Sequence, residues 1–238
     1  MTLDLSSWIV LPLGAILGGA VALFFRKKLP DYFHESAGPS SPIFLAVSTA
    51  IVCGLASLIA LRFFSEAGPT VLVALVFAAV TPILIVTDAQ KHLLPNQIVG
   101  FVTVTELAAL IAGIIAANLV PQISPVHGSG VAVGIRALLG ALAFSAAMFL
   151  LTLLKTGLGL GDVKLAFPLG MMLASQSWTA LFYGVILGWI LAGIVAITLL
   201  VTRRAKRDTM IAYGPYMIVG AWMVWLCLLY TSPSPRDS

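Results

Sequence analysis

Charge is what this sequence has least of. Only 9% of its residues are Asp, Glu, Lys or Arg, against about a quarter in an ordinary soluble domain. With 60% hydrophobic residues and a mean hydropathy of +1.07, a water-soluble core is excluded. Cysteine is scarcer still as a single residue type, with two in 238. Cys53 and Cys227 stand alone, one inside an apolar run and one near the C-terminus, and no C-x-x-C spacing occurs, so neither a disulfide framework nor a zinc site is indicated. The net charge of +4 is not gathered into a basic patch interleaved with aromatics, so it does not point to nucleic acid.

What the chain has instead is apolar runs of bilayer-crossing length, about 20 residues each. Pro, Gly and charge punctuation place them at 8–25, 43–61, 70–88, 95–117, 131–154, 163–175, 178–201 and 210–226. The expected fold is all-α: a polytopic membrane helix bundle of about eight transmembrane helices. The sixth run is short for a full crossing and holds Pro168 and Gly170. No internal repeat is visible.

Orientation follows from the basic residues. The first run has Asp4 before it and Arg26, Lys27 and Lys28 after it, the reverse of a secretory signal peptide, so its N-terminus is expected outside. Alternate threading then puts Lys91, Lys155, Lys164, Arg203, Arg204, Lys206 and Arg207 on the side of Arg26 to Lys28. By the positive-inside rule that side is cytoplasmic. Only Arg62 and Arg136 fall at the opposite ends, and the loop from Asn118 to Gly130 has neither Lys nor Arg. Leu29 to Pro42, rich in Ser, Pro and Gly, reads as a cytoplasmic loop. Arg203 to Arg207 fix topology and can meet anionic lipid. Trp8, Trp178 and Trp225 read as interfacial belt residues, and His34 and His127 as solvated.

An ionisable residue in a membrane helix costs free energy, about 2.5–3.5 kcal/mol for Asp at a helix centre, so each one needs a reason. Asp88 ends the third run in VTDAQKHLLPN, and Asp162 follows a glycine-rich turn in GLGLGDVKL. Both thread to the cytoplasmic edge. Two convergent carboxylates are what water-activating peptide hydrolysis requires: one keeps its proton, the other accepts a proton from water. Neither metal nor cofactor is needed. Glycines at 157, 159 and 161 permit unusual dihedrals or the close approach of an extended peptide before Asp162. Singly, these features have plainer readings. Asp88 alone is equally a helix-end carboxylate near Lys91, and Pro95 with Asn96 suits any turn that restarts a helix. Lys164 reads as a headgroup anchor or as a cation lowering a carboxylate pKa, and Lys91 and His92 likewise. Glu106, in mid-helix, is open between a structural hydrogen bond and a function, with Arg136 a conceivable partner.

Taken together, Asp88 followed by Pro95 and Asn96, the G-x-G-D of Gly159, Gly161 and Asp162, and AYGPYMIVGAW at 212–222 resemble the bacterial type IV prepilin peptidase family of GxGD aspartic proteases. The last string resembles the PFGP segment which that family places before its final helix. The resemblance covers about Pro69 to Trp222 and implies a dyad of Asp88 and Asp162, with Gly159, Gly161, Lys164, Pro95 and Asn96 supporting it or binding substrate. It further implies an inner (plasma) membrane enzyme whose active site faces the cytoplasm. That enzyme cleaves the leaders of type IV pilin-like or pseudopilin precursors after a glycine, in contact with membrane lipids. Family members that also N-methylate carry paired zinc-binding cysteines after the first helix. The loop at about 26–42 has no cysteine, so methylation is not expected. The presenilin group shares G-x-G-D, but pairs it with Tyr-Asp and Pro-Ala-Leu motifs; here Thr87 precedes Asp88 and Pro-Ala-Leu is missing.

Residues 227–237, CLLYTSPSPRD, resemble the translation of a sequencing-library adapter. The natural sequence is therefore expected to be a single membrane peptidase domain over 1–226, with 227–238 an artefact. The rival reading from another class is a proton-coupled transporter relaying through Asp88, Glu106 and Asp162, which calls for carboxylates at mid-membrane depth.

Overall fold

A computed structural model of the chain describes residues 5–28, 41–67, 69–91, 94–119, 129–154, 158–203 and 212–231, apart from the side chains of 5–11, 42, 61–67, 69, 91 and 230–231. These residues form eight helices and no strand: α1 (Leu5–Lys28), α2 (Pro42–Ala67), α3 (Pro69–Lys91), α4 (Asn96–Leu119), α5 (Gly130–Leu153), α6 (Leu160–Gln176), α7 (Trp178–Val201) and α8 (Gly214–Thr231). Five of them, α2 to α5 and α7, are long and apolar enough to cross a membrane. The expectations for His34, His92, His127, Gly157, Lys155, Arg204, Lys206, Arg207, the side chains of Trp8, Arg62 and Lys91, and residues 232–238 fall outside the described residues.

Several termini explain themselves locally. The Ser129 hydroxyl accepts the Ala132 N–H at 3.3 Å to start α5, and Ser177 does the same for Ala180 at 2.9 Å to start α7. Pro95 closes the α3–α4 turn: its carbonyl accepts the N–H groups of Ile98 and Val99 at 3.0 and 3.1 Å. In α3 the Thr81 hydroxyl bonds the Phe77 carbonyl just before Pro82 interrupts the ladder, and it also accepts Trp222 Nε1–H from α8 at 3.0 Å.

Chain neighbours pack as antiparallel pairs, and α3, α6 and α8 meet one another at the centre. Between helices in lipid, burial of oil against oil supplies little drive, and close backbone approach through small residues does more. That is what the α5–α6 contact uses. A Cβ on Gly170 would lie 2.8 Å from the Gly140 carbonyl oxygen and 2.9 Å from Ala141 Cα. The α7–α8 pair meets in the same way, where a Cβ on Gly220 would lie 2.8 Å from Gly188 Cα.

The short sixth helix is the core element. Leu165, Ala166 and the whole stretch from Pro168 to Gln176 are buried. Its C-terminal carbonyls are taken by Arg136 of α5, whose Nε donates to Ala174 O at 2.7 Å and whose Nη2 donates to Ser175 O at 2.6 Å and Gln176 O at 3.0 Å. A cation at a helix C-terminus also complements the dipole. Arg136 is therefore not the hydrogen-bonding partner of Glu106, whose two carboxylate oxygens are buried with no hydrogen-bond partner among the described residues. Since hydrogen bonds to charged groups contribute about 1.5–3 kcal/mol, Arg136→Met should lower the unfolding free energy by about 2 kcal/mol. A denaturant titration in mixed micelles measures this, and an unchanged midpoint would contradict the capping role.

Trp225 also departs from expectation. It is 2% exposed, stacked edge-on against Trp222 with ring centroids 5.8 Å apart, and its carbonyl accepts Gln176 Nε2–H at 3.2 Å. It is a core residue tying α8 to the end of α6, whereas Trp178, half exposed at the start of α7, stays at the surface. The eighth helix starts at Gly214 and runs to Thr231, past Leu226, with Leu229 in the core.

Candidate active site

Asp88 occupies the last turn of α3, and Asp162 the first turn of α6. They are 4% and 8% exposed. The structure brings them together at one end of the bundle, near enough for the charge on Asp88 to act on Asp162.

Asp162 is positioned by its own helix. Gly159 is the N-cap, its carbonyl accepting the Asp162 N–H at 3.1 Å, while its own N–H donates to Asp162 Oδ2 at 3.1 Å. This is the reciprocal half of a capping box, in which the third helical residue reaches back to the cap. Asp88 is positioned from a distance. Its Oδ2 accepts the N–H of Gly214, the first residue of α8, at 3.0 Å. Pro215 follows Gly214, and Tyr213 precedes it with a carbonyl that accepts the N–H groups of Tyr216 and Met217. Asp88 thus satisfies a backbone donor that a helix N-terminus leaves without an internal partner.

Burial pushes the Asp162 carboxyl up to about 6 from 3.8; the Gly159 N–H opposes the rise and the neighbouring Asp88 adds to it. Lys164 is not among the causes. Its Nζ donates to Asn96 Oδ1 at 2.8 Å on the exposed rim, so it joins the start of α4 to the start of α6 and does not neutralise the dyad. That contact links the Pro95–Asn96 and G-x-G-D strings directly.

The glycines act through space more than through dihedrals. Gly159 has φ −87° and ψ 157°, extended backbone open to any residue. A Cβ on Gly161 would meet Leu94 at 3.4 Å, an ordinary contact. Gly159 is exposed and leaves no side chain over the backbone that leads into Asp162. Of the glycines at the site, Gly159, Gly161 and Gly214, the tightest is Gly214, where a Cβ would lie 2.5 Å from Asp88 Oδ2 and 3.2 Å from its Cγ. Gly214 and Tyr213 were not singled out as site residues from the sequence; the resemblance of AYGP to PFGP was the available signal.

Among the described residues, no three His, Cys, Asp or Glu side chains gather into a set that could hold a metal ion.

The profile of the type IV leader peptidase family matches residues 75–197, more than half of the 238-residue chain. The chain belongs to the type IV leader peptidase family. Both Asp88 and Asp162 lie within the matched residues. The prepilin leader peptidase/N-methyltransferase of Pseudomonas aeruginosa is 33% identical over 79 residues, 33% of this chain. That segment is 26% of the relative's own length. No solved structure matches. With five membrane-length apolar helices among the described residues and this family membership, the chain is an integral membrane protein.

Proposed function

We propose that the chain is an aspartic endopeptidase of the inner (plasma) membrane, multi-pass, that removes the leader from type IV prepilin-like precursors. Cleavage takes place after a glycine at the cytoplasmic face. The single observation that carries the reading is the approach of Asp88 and Asp162 to each other, with Asp88 bonded to the first N–H of α8. The basic residues at the same ends of the helices support the cytoplasmic orientation through the positive-inside rule.

In this reading Asp88 is the base. The Gly214 N–H and the N-terminal end of α8 stabilise its negative charge, and it takes a proton from water as the oxygen attacks the scissile carbonyl carbon. Asp162, held toward the neutral form by burial and by Asp88, is the acid that hydrogen-bonds the carbonyl oxygen and protonates it. The resulting gem-diol breaks at the C–N bond as Asp88 passes its proton to the leaving nitrogen and Asp162 takes one from a gem-diol hydroxyl, which restores the starting protonation of the pair. Two buried carboxylates titrate as a pair, so the competent species carries one proton between them. The open backbone before Asp162 admits an extended segment, as required for a peptide bond that a helical precursor would hide. N-methylation is not proposed, since residues 26–42 contain no cysteine. A proton relay would need a path through Glu106, and neither of its oxygens meets a hydrogen-bond partner among the described residues.

The test is co-expression with a prepilin precursor, following the leader by gel shift and mass spectrometry. Loss of the leader after Gly with the parent chain supports the proposal; an intact precursor counts against it. The sign of the pH dependence follows from Asp162. Its carboxyl is raised to about 6, so the protonated acid is complete well below that pH and is lost as the pH climbs through it. Measured kcat/KM is expected to fall about tenfold per pH unit above about 6, with kcat holding to higher pH because bound substrate excludes water. A kcat/KM profile flat to pH 8 would remove Asp162 as the acid.

A further inference from the structure

One polar group at the site has no role in the dyad. The Tyr213 hydroxyl is buried, and no described residue hydrogen-bonds it. A buried hydroxyl without a partner costs about 1–3 kcal/mol, so its retention calls for a reason. The ring is fixed in place: it packs against the core, and the Tyr213 carbonyl anchors the first turn of α8 through Tyr216 and Met217. The next residue, Gly214, holds Asp88 through its N–H. The phenol is therefore rigid with respect to the base and lies in the field of Asp162, whose charge, after burial itself, raises the phenol above the usual tyrosine range. It remains a neutral O–H donor throughout the working pH range. The PFGP string that AYGP resembles has Phe at this position, so the hydroxyl is an addition that hydrophobic packing alone does not require.

We propose that the Tyr213 hydroxyl is a second donor to the scissile carbonyl oxygen, a catalytic residue that acts beside Asp162 when substrate supplies the missing acceptor. This rests on the peptidase reading above. As water attacks the carbonyl carbon and Asp88 takes its proton, the carbonyl π electrons move to oxygen. Asp162 delivers its proton there, while Tyr213 donates a hydrogen bond and keeps its own proton. Such a donor is aimed at charge that develops in the transition state, so its removal lowers kcat more than it raises KM.

The experiment compares the parent chain, Tyr213→Phe and, as a control on the exposed face of α7, Tyr183→Phe, with a prepilin precursor as substrate in detergent micelles. Tyr213→Phe removes only an oxygen that no described residue engages, so its thermal midpoint should be unchanged or higher. Its kcat should fall about 10- to 100-fold with KM within twofold, and Tyr183→Phe should match the parent. A Tyr213→Phe kcat within twofold of the parent overturns the donor role and leaves the peptidase reading intact. A fall in kcat accompanied by a lower thermal midpoint also overturns it, because that pattern marks a structural hydroxyl. If the parent leaves the precursor uncut, both readings fall.

Discussion

Asp88→Asn and Asp162→Asn are each expected to reduce precursor processing by about 10⁴-fold while leaving an inserted, folded protein. Asn is nearly isosteric with Asp and can still accept the Gly214 N–H at position 88 or the Gly159 N–H at position 162. Either change also removes one ionisable carboxyl from a buried pair whose charges oppose each other when both ionise, so loss of fold is not the expected cause of inactivity. The double variant distinguishes a working pair from two independent contributors. Residues that act as a unit are strongly non-additive, and the double variant should be no slower than the slower single one. Quantitative gel-shift rates on purified variants, with thermal melts alongside, measure this. Residual processing within tenfold of the parent in either single variant would end the dyad assignment.

Gly214→Ala is expected to be the next most damaging change, with kcat down about 100-fold. The new Cβ would stand 2.5 Å from Asp88 Oδ2 and 3.3 Å from Leu165 Cδ2. The Asp88 oxygen is the end of a short side chain already bound to the same residue's N–H, so it cannot swing aside and keep that bond. Either the carboxylate moves or α8 does, and a displacement of about 1 Å is enough for a loss of this size. Overpacking of this kind also costs about 1–3 kcal/mol of stability. Gly193→Ala, where a Cβ meets nothing within 4 Å, is the matched control and should behave as the parent. Full activity in Gly214→Ala would mean that the contact between α8 and Asp88 does not set the geometry of the reaction.

The two aspartates were legible because each is an ionisable residue at the edge of an apolar run, where its cost in lipid makes it conspicuous. The helix count was legible for the complementary reason: backbone groups in a bilayer must be satisfied within the helix, so apolar length translates almost directly into helices. Pairing across the chain was not legible. Lys164 looked like an anchor or a tuner of its neighbour Asp162, yet its partner is Asn96, 68 positions away in sequence. Arg136 was a conceivable partner for Glu106, though its depth placed it nearer the outer end, and its fork found the carbonyls that end α6. Trp225 looked interfacial because Trp at a helix end usually is, and only the crossing of α6 and α8 buries it.

Sequence by itself determined that the protein is an all-helical membrane bundle, which runs form its helices, and which two carboxylates are candidates for chemistry. These are local matters of hydropathy, punctuation and the cost of charge in lipid. Tertiary structure alone decided that α8 presents its first N–H to Asp88, that burial and the neighbouring Asp88 push Asp162 toward the protonated form, and that the buried Tyr213 hydroxyl has no hydrogen-bond partner among the described residues. Those are properties of how three helices far apart in the chain approach one another. The glycine and alanine contacts that hold α6 against α5 and α8 against α7 likewise pair residues across helices, and such pairing leaves no periodic signal in a sequence that is apolar nearly throughout.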